Sequence, residues 1–122
     1  MKKILVVDDE KEIRELLKER LTQSRYSVIV ASSGQEALEI CKVERPNLIL
    51  LDIAMSVIDG YETCKRLRED KDTKGIPVIF LTGKELEPKS IIDRCDVLSA
   101  CGHVSKLSTL KELIEKVKKF IV

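Results

Sequence analysis

Five side chains in this sequence have the types needed to hold and move a phosphoryl group, and each leaves a short apolar run. Asp8 and Asp9 follow Ile4 to Val7, Asp52 follows Leu48 to Leu51, Thr82 follows Ile76 to Leu81, and Lys106 follows His103-Val104-Ser105. Carboxylates gathered at one edge repel, and each raises its neighbours' pKa unless a cation joins them. Hard oxygen ligands of this kind suit Mg²⁺, which is held by few carboxylates together with water and phosphoryl oxygens. An ammonium and a hydroxyl beside such a cluster supply a cation and a donor for the equatorial oxygens of a transferred phosphoryl. An aspartate there can be the nucleophile, forming an acyl phosphate.

The elements that must bring these groups together are legible in the pattern. Leu48 to Leu51 and Ile4 to Val7 are apolar at every position, as strands of a parallel sheet covered on both faces require. Such a sheet binds its ligands beyond the carboxyl ends of its strands, where all five side chains stand. Tyr26 to Ala31 reads as a strand feeding the Ser32-Ser33-Gly34 turn, and Ile76 to Leu81 as another with Pro77 near its start. Between the strands, apolar residues recur at three- and four-residue intervals. Ile13, Leu16, Leu17 and Leu21 mark one helix, with Asp9 as its expected cap. Ala37, Leu38, Ile40 and Cys41 mark the next, with Ser33 or Gly34 near its start. Tyr61, Cys64 and Leu67 share a face of a helix from Gly60 to about Glu69, and Pro88 opens another through Ile91, Ile92, Cys95 and Leu98. The last helix runs from about Ser108, its expected cap, to Phe120, with Leu110, Leu113, Ile114 and Val117 inward.

This alternation predicts an α/β fold over residues 1–122, a single (βα)5 domain with a doubly wound five-stranded parallel sheet and right-handed crossovers. A chain of 122 residues buries enough surface to fold without a metal or disulfide. The 22 basic and 21 acidic residues nearly cancel, so no net field favours nucleic acid or an anionic membrane. With no helix-turn-helix or basic face apparent, direct DNA binding is not expected. Cys41, Cys64, Cys95 and Cys101 lack metal-site spacing and are expected to be packing residues in a reducing compartment. The acids Asp8 to Glu10 cut short the N-terminal apolar run, and no segment is long enough to span a bilayer, so a cytoplasmic protein is expected.

The segments VVDDE at 6–10, LLDIAMSVIDGYE at 50–62, IFLTG at 79–83 and VSK at 104–106 together resemble the receiver domain of two-component response regulators, relatives of the chemotaxis receiver, over the whole chain. The resemblance implies a flavodoxin-like sheet of order 2-1-3-4-5 and Mg²⁺-dependent phosphoryl transfer from a phosphohistidine donor to Asp52. It makes Asp8 and Asp9 the acidic pair for the metal, joined by Asp52 and the backbone carbonyl of Ala54. Lys106 then pairs with phosphoryl oxygens, Thr82 swings in to hydrogen-bond one of them, and Ala54 and Lys84 tune dephosphorylation. Such a protein is a signalling domain that catalyses only its own phosphorylation and dephosphorylation. The implied partners are a sensor histidine kinase or a histidine phosphotransfer domain, and a downstream protein on the surface of the fourth helix, fifth strand and fifth helix.

Three positions depart from the family pattern. Ser56 stands where a proline is usual, and His103 stands at a switch position usually aromatic. Leu107 replaces the proline after the lysine, and a cis bond before leucine costs about 3 kcal/mol, so a trans bond is expected. Leu107 and His103 leave a second reading, a receiver whose interactions are independent of phosphorylation. A phosphatase with an aspartate nucleophile is disfavoured, because no D-x-D-x-T follows a strand.

Overall fold

The computed structural model describes residues 1–83, 100 and 102–121. Five strands, β1 (Lys3–Val7), β2 (Ser27–Ala31), β3 (Leu48–Asp52), β4 (Val78–Thr82) and β5 (Gly102–Ser105), form one parallel sheet of order β2-β1-β3-β4-β5. Helices α1 (Lys11–Gln23), α2 (Gly34–Glu44), α3 (Gly60–Glu69) and a C-terminal helix (Leu110–Phe120) complete the described elements. The helix expected after Pro88, with Cys95, Cys101 and Lys84, falls outside the described residues.

The unbroken apolar strands are explained by two cores, one on each side of the sheet. Leu5, Val7, Ile49, Leu51, Val78 and Phe80 pack on Ala37 and Cys41 of α2 and on Cys64 and Leu67 of α3. Ile4, Val6, Leu48, Leu50, Ile79 and Leu81 meet Leu17 and Leu21 of α1 and Leu113 and Val117 of the C-terminal helix. Alternate side chains of one strand thus enter opposite cores. Cys41 and Cys64 are buried, and burial pushes the Cys41 thiol up to about 11, as befits apolar packing.

Several expectations about element ends are corrected. Asp9 does not cap α1: Glu10 occupies the cap position without a side-chain bond, and Asp8 Oδ1 accepts the Glu10 N–H at 2.9 Å. Ser108 does not cap the last helix; its N–H closes a turn onto the Ser105 carbonyl at 3.0 Å. Thr109 Oγ1 accepts the Glu112 N–H instead, at 3.2 Å. Leu110 and Leu16, placed in the inner stripes, are 39% and 38% exposed at their edges. β4 starts two residues late because the Ile76 N–H is spent on the Thr73 carbonyl and Pro77 has none to give. Ser33 does cap α2, accepting the Glu36 N–H at 3.1 Å, and no described peptide bond is cis, so the Lys106–Leu107 bond is trans as expected.

Candidate functional site

The sheet order sets β1 and β3 side by side, so their terminal acids meet. Asp8 is fully buried and Asp52 is 1% exposed, whereas Asp9 is exposed. Asp8 is fixed twice, by the Glu10 N–H on its side chain and by Arg14 Nη1, which donates to its backbone carbonyl at 2.8 Å. Asp52 Oδ1 accepts the Ala54 N–H at 3.2 Å. Behind it, Gly60 donates its N–H to the Ile53 carbonyl at 2.8 Å, and any Cβ on Gly60 would run into the Asp52 carbonyl. The chain needs glycine there because α3 starts against the backbone that carries the acid.

Lys106, in the turn after the edge strand β5, reaches back over these acids. Its ammonium lies 2.9 Å from Asp8 Oδ2, 3.1 Å from Asp52 Oδ1 and 3.2 Å from Glu10 Oε1. The turn is tied down by the Lys106 N–H on the Thr82 carbonyl at 3.0 Å and by Leu107 N–H on Ser105 Oγ at 3.0 Å.

Burial, with Asp8 adding to it, lifts the Asp52 carboxyl to about 6, against the opposing pull of Lys106 and the Ala54 N–H. Burial likewise raises Asp8, although Glu10 and Lys106 bonds work against it. Burial alone would lower the Lys106 ammonium, but its contacts with Asp8 and Asp52 hold it above its ordinary value. Two buried carboxylates sharing one ammonium therefore leave negative charge uncompensated. Asp52 Oδ2 is buried with no hydrogen-bond partner among the described residues, while the buried Asp8 Oδ2 has the Lys106 ammonium at 2.9 Å as an ion-pair partner. Buried carboxylate oxygens without donors are costly, and a hard divalent cation is the ligand that satisfies them. Asp8, Asp9 and Glu10 also each offer an oxygen within 4.8 Å of the others. The donor set is all oxygen and fits Mg²⁺.

The other expected residues surround this centre. Thr82 is 7% exposed, and its Oγ1 donates to the Val104 carbonyl at 3.4 Å, a long bond that is easily given up. His103 pairs with Phe80 across β4 and β5 and lines a cleft of about 520 Å³ with Thr82, Ser105, Glu112, Glu115 and Lys116. Burial and then Lys116 hold its imidazole below the ordinary value. In the loop after Asp52, Val57 is fully exposed and left-handed at φ 70°, a strained conformation for a β-branched residue. Sequence reasoning overlooked Glu10 and Arg14. Glu10 was visible as the last acid of VVDDE, but Arg14 looked like any charged residue on a solvated helix.

The sequence model described as "Response regulator receiver domain" matches residues 4–118. The chain is 51% identical over 121 residues to a probable transcriptional regulator ycf27 of Porphyra purpurea, covering 98% of this chain and 47% of that protein. It is 40% identical over 120 residues to the alkaline phosphatase synthesis transcriptional regulatory protein PhoP of Bacillus subtilis, covering 98% and 48%. The chain thus spans about half the length of these curated relatives. Among solved structures, Vibrio cholerae chemotaxis protein CheY4 superposes with a TM-score of 0.90 at 28% identity, over 98% of each chain. A response regulator receiver protein domain from Methanoculleus marisnigri gives 0.79 at 35% identity, over 98% of this chain and 96% of that one. Sheet order, strand-end acids and these likenesses agree: the chain belongs to the response regulator receiver domain family.

Proposed function

We propose that this chain is a phosphoryl-accepting switch in which Asp52 takes a phosphoryl group from the phosphohistidine of a sensor histidine kinase or phosphotransfer domain. The observation that carries this reading is the buried Asp52 carboxylate, with one oxygen lacking any donor, beside Asp8 and under the Lys106 ammonium. In the transfer a carboxylate oxygen of Asp52 bonds to phosphorus as the phosphorus–nitrogen bond breaks, and the imidazole departs with a proton. Lys106 stands where it can pair with the phosphoryl oxygens. Asp8, Asp9, Asp52 and the Ala54 carbonyl would hold Mg²⁺, which supplies positive charge for those oxygens when bound. Thr82 exchanges its long bond to Val104 for one to the phosphoryl, and the cleft beside His103 passes the change to a downstream protein.

The relatives named as transcriptional regulators favour gene expression as the process served. DNA contact would then belong to parts outside residues 1–122. Receivers of this kind act in the cytoplasm, and no helix among the described residues is long and apolar enough to cross a membrane.

Acetyl phosphate or beryllofluoride with Mg²⁺, followed by NMR at Asp52 and Thr82 in wild type and Asp52→Ala, tests the reading. A Mg²⁺-dependent change in wild type alone is expected, and no change would sink it. The second reading, interaction independent of phosphorylation, draws on the half-buried His103 in place of an aromatic switch; an Asp52→Asn chain with unaltered partner binding would favour it.

A further inference from the structure

The ammonium of Lys106 has three N–H groups and three carboxylates around it, and these contacts are not alike. Those with Asp8 Oδ2 and Asp52 Oδ1 are ion pairs inside the site. The one with Glu10 Oε1, at 3.2 Å, has hydrogen-bond geometry and lies at the mouth, where the Glu10 side chain is 59% exposed. Glu10 occupies the cap position of α1 but does not use its side chain there, so the carboxylate is left to meet Lys106. The contact joins the turn after β1 to the turn after β5, two strands that do not touch in the sheet.

A cation seated on Asp8 and Asp52 competes with the Lys106 ammonium for the same oxygens and repels it. Of its three partners, Glu10 alone is exposed rather than buried, so although its carboxylate also stands within 4.8 Å of Asp8 and Asp9, one of its oxygens can keep the ammonium while a cation sits on the buried pair. We propose that Glu10 is a positioning residue that retains the Lys106 ammonium at the mouth of the site when a divalent cation takes Asp8 and Asp52. This rests on the phosphoacceptor reading and adds to it a resting place for the lysine between its metal-free and phosphoryl-bound positions. Without that tether a long, rotamer-rich side chain would be released to solvent and would have to be ordered again for each transfer.

A carboxylate near a metal also raises cation affinity by charge alone, so the test must separate the two effects. Mg²⁺ affinity is measured by NMR titration for the full chain and for Glu10→Gln, Lys106→Met and the double variant, a cycle that isolates the pairwise effect. Glu10→Gln is expected to weaken Mg²⁺ binding in the wild-type background by about two- to fivefold more than it does once Lys106 is methionine, the range of an exposed ion pair. Equal weakening in both backgrounds, or none in wild type, overturns the tether while leaving the phosphoacceptor reading intact. No Mg²⁺ binding by wild type overturns both. A second readout follows the Lys106 ammonium resonance at saturating Mg²⁺: it persists in wild type and is lost to solvent exchange in Glu10→Gln. Its loss in both would also overturn the tether.

Discussion

Lys106 Nζ lies 3.1 Å from Asp52 Oδ1, yet burial and the neighbouring Asp8 still hold the Asp52 carboxyl up at about 6. A single ammonium between two buried acids is too little charge to keep both ionised without strain.

The metal-free protein should therefore be stabilised by mild acid. Asp52 binds its proton more tightly when folded, so its contribution is fully present below the unfolded value of 3.8 and is lost as pH rises through about 6. Asp8, also raised, acts in the same direction, while the Lys106 contribution stays constant throughout this range. Thermal melts without metal should show Tm falling from pH 5 to pH 7.5. Asp52→Asn should flatten that slope and be more stable than wild type at pH 7 by up to about 3 kcal/mol, from a pKa displaced by roughly two units. Saturating Mg²⁺, which favours the ionised acids, should remove the wild-type decline.

Thr82→Ala should separate stability from signalling. The hydroxyl makes one long bond to Val104 at 3.4 Å, so its loss should cost less than about 1 kcal/mol in urea unfolding. Phosphorylation of Asp52 should still proceed in this variant, while the phosphorylation-dependent NMR shifts of His103 and Val104 should shrink.

Val57→Gly should stabilise the protein. Left-handed backbone costs a side-chain-bearing residue about 1–2 kcal/mol, and glycine returns roughly half of that through unfolded-state entropy. With Val57 fully exposed at φ 70°, no packing is lost. A gain of about 0.5–1 kcal/mol, seen as a higher urea midpoint with an unchanged slope, is expected.

Gly60→Ala should do the reverse. The added methyl has backbone for its neighbours, the Asp52 carbonyl and Ile53 Cα, which cannot swing aside. A loss of about 2–3 kcal/mol is expected from overpacking, accompanied by weaker Mg²⁺ binding because the strain falls on the Asp52 peptide itself.

How much of this could be read from the sequence depends on the physics of each feature. The unbroken runs Ile4 to Val7 and Leu48 to Leu51 announced a sheet with two covered faces, and the residues ending them announced the site. The cap positions were harder. Glu10 against Asp9, or Thr109 against Ser108, differ by one step of backbone, and the choice is made by turn hydrogen bonds such as Ser108 N–H to Ser105 carbonyl. Arg14 was invisible for a related reason: its target is the Asp8 backbone carbonyl, and a main-chain acceptor leaves no mark in composition or periodicity. Val57 was hidden as well, since its left-handed conformation runs against the preference of its residue type.

The acids and the cation are not equally anchored. Asp8 and Asp52 leave β1 and β3, strands with neighbours on both sides, whereas Lys106 follows β5, which is bonded to β4 alone. Fluctuations that fray one margin of a sheet need far less energy than those that open its middle. Amide exchange should therefore find Val104 and Ser105 opening more often than Val6 or Leu50. In such an excursion the carboxylates would stay assembled while the lysine departs, leaving an anionic pocket stripped of the ammonium that offsets it.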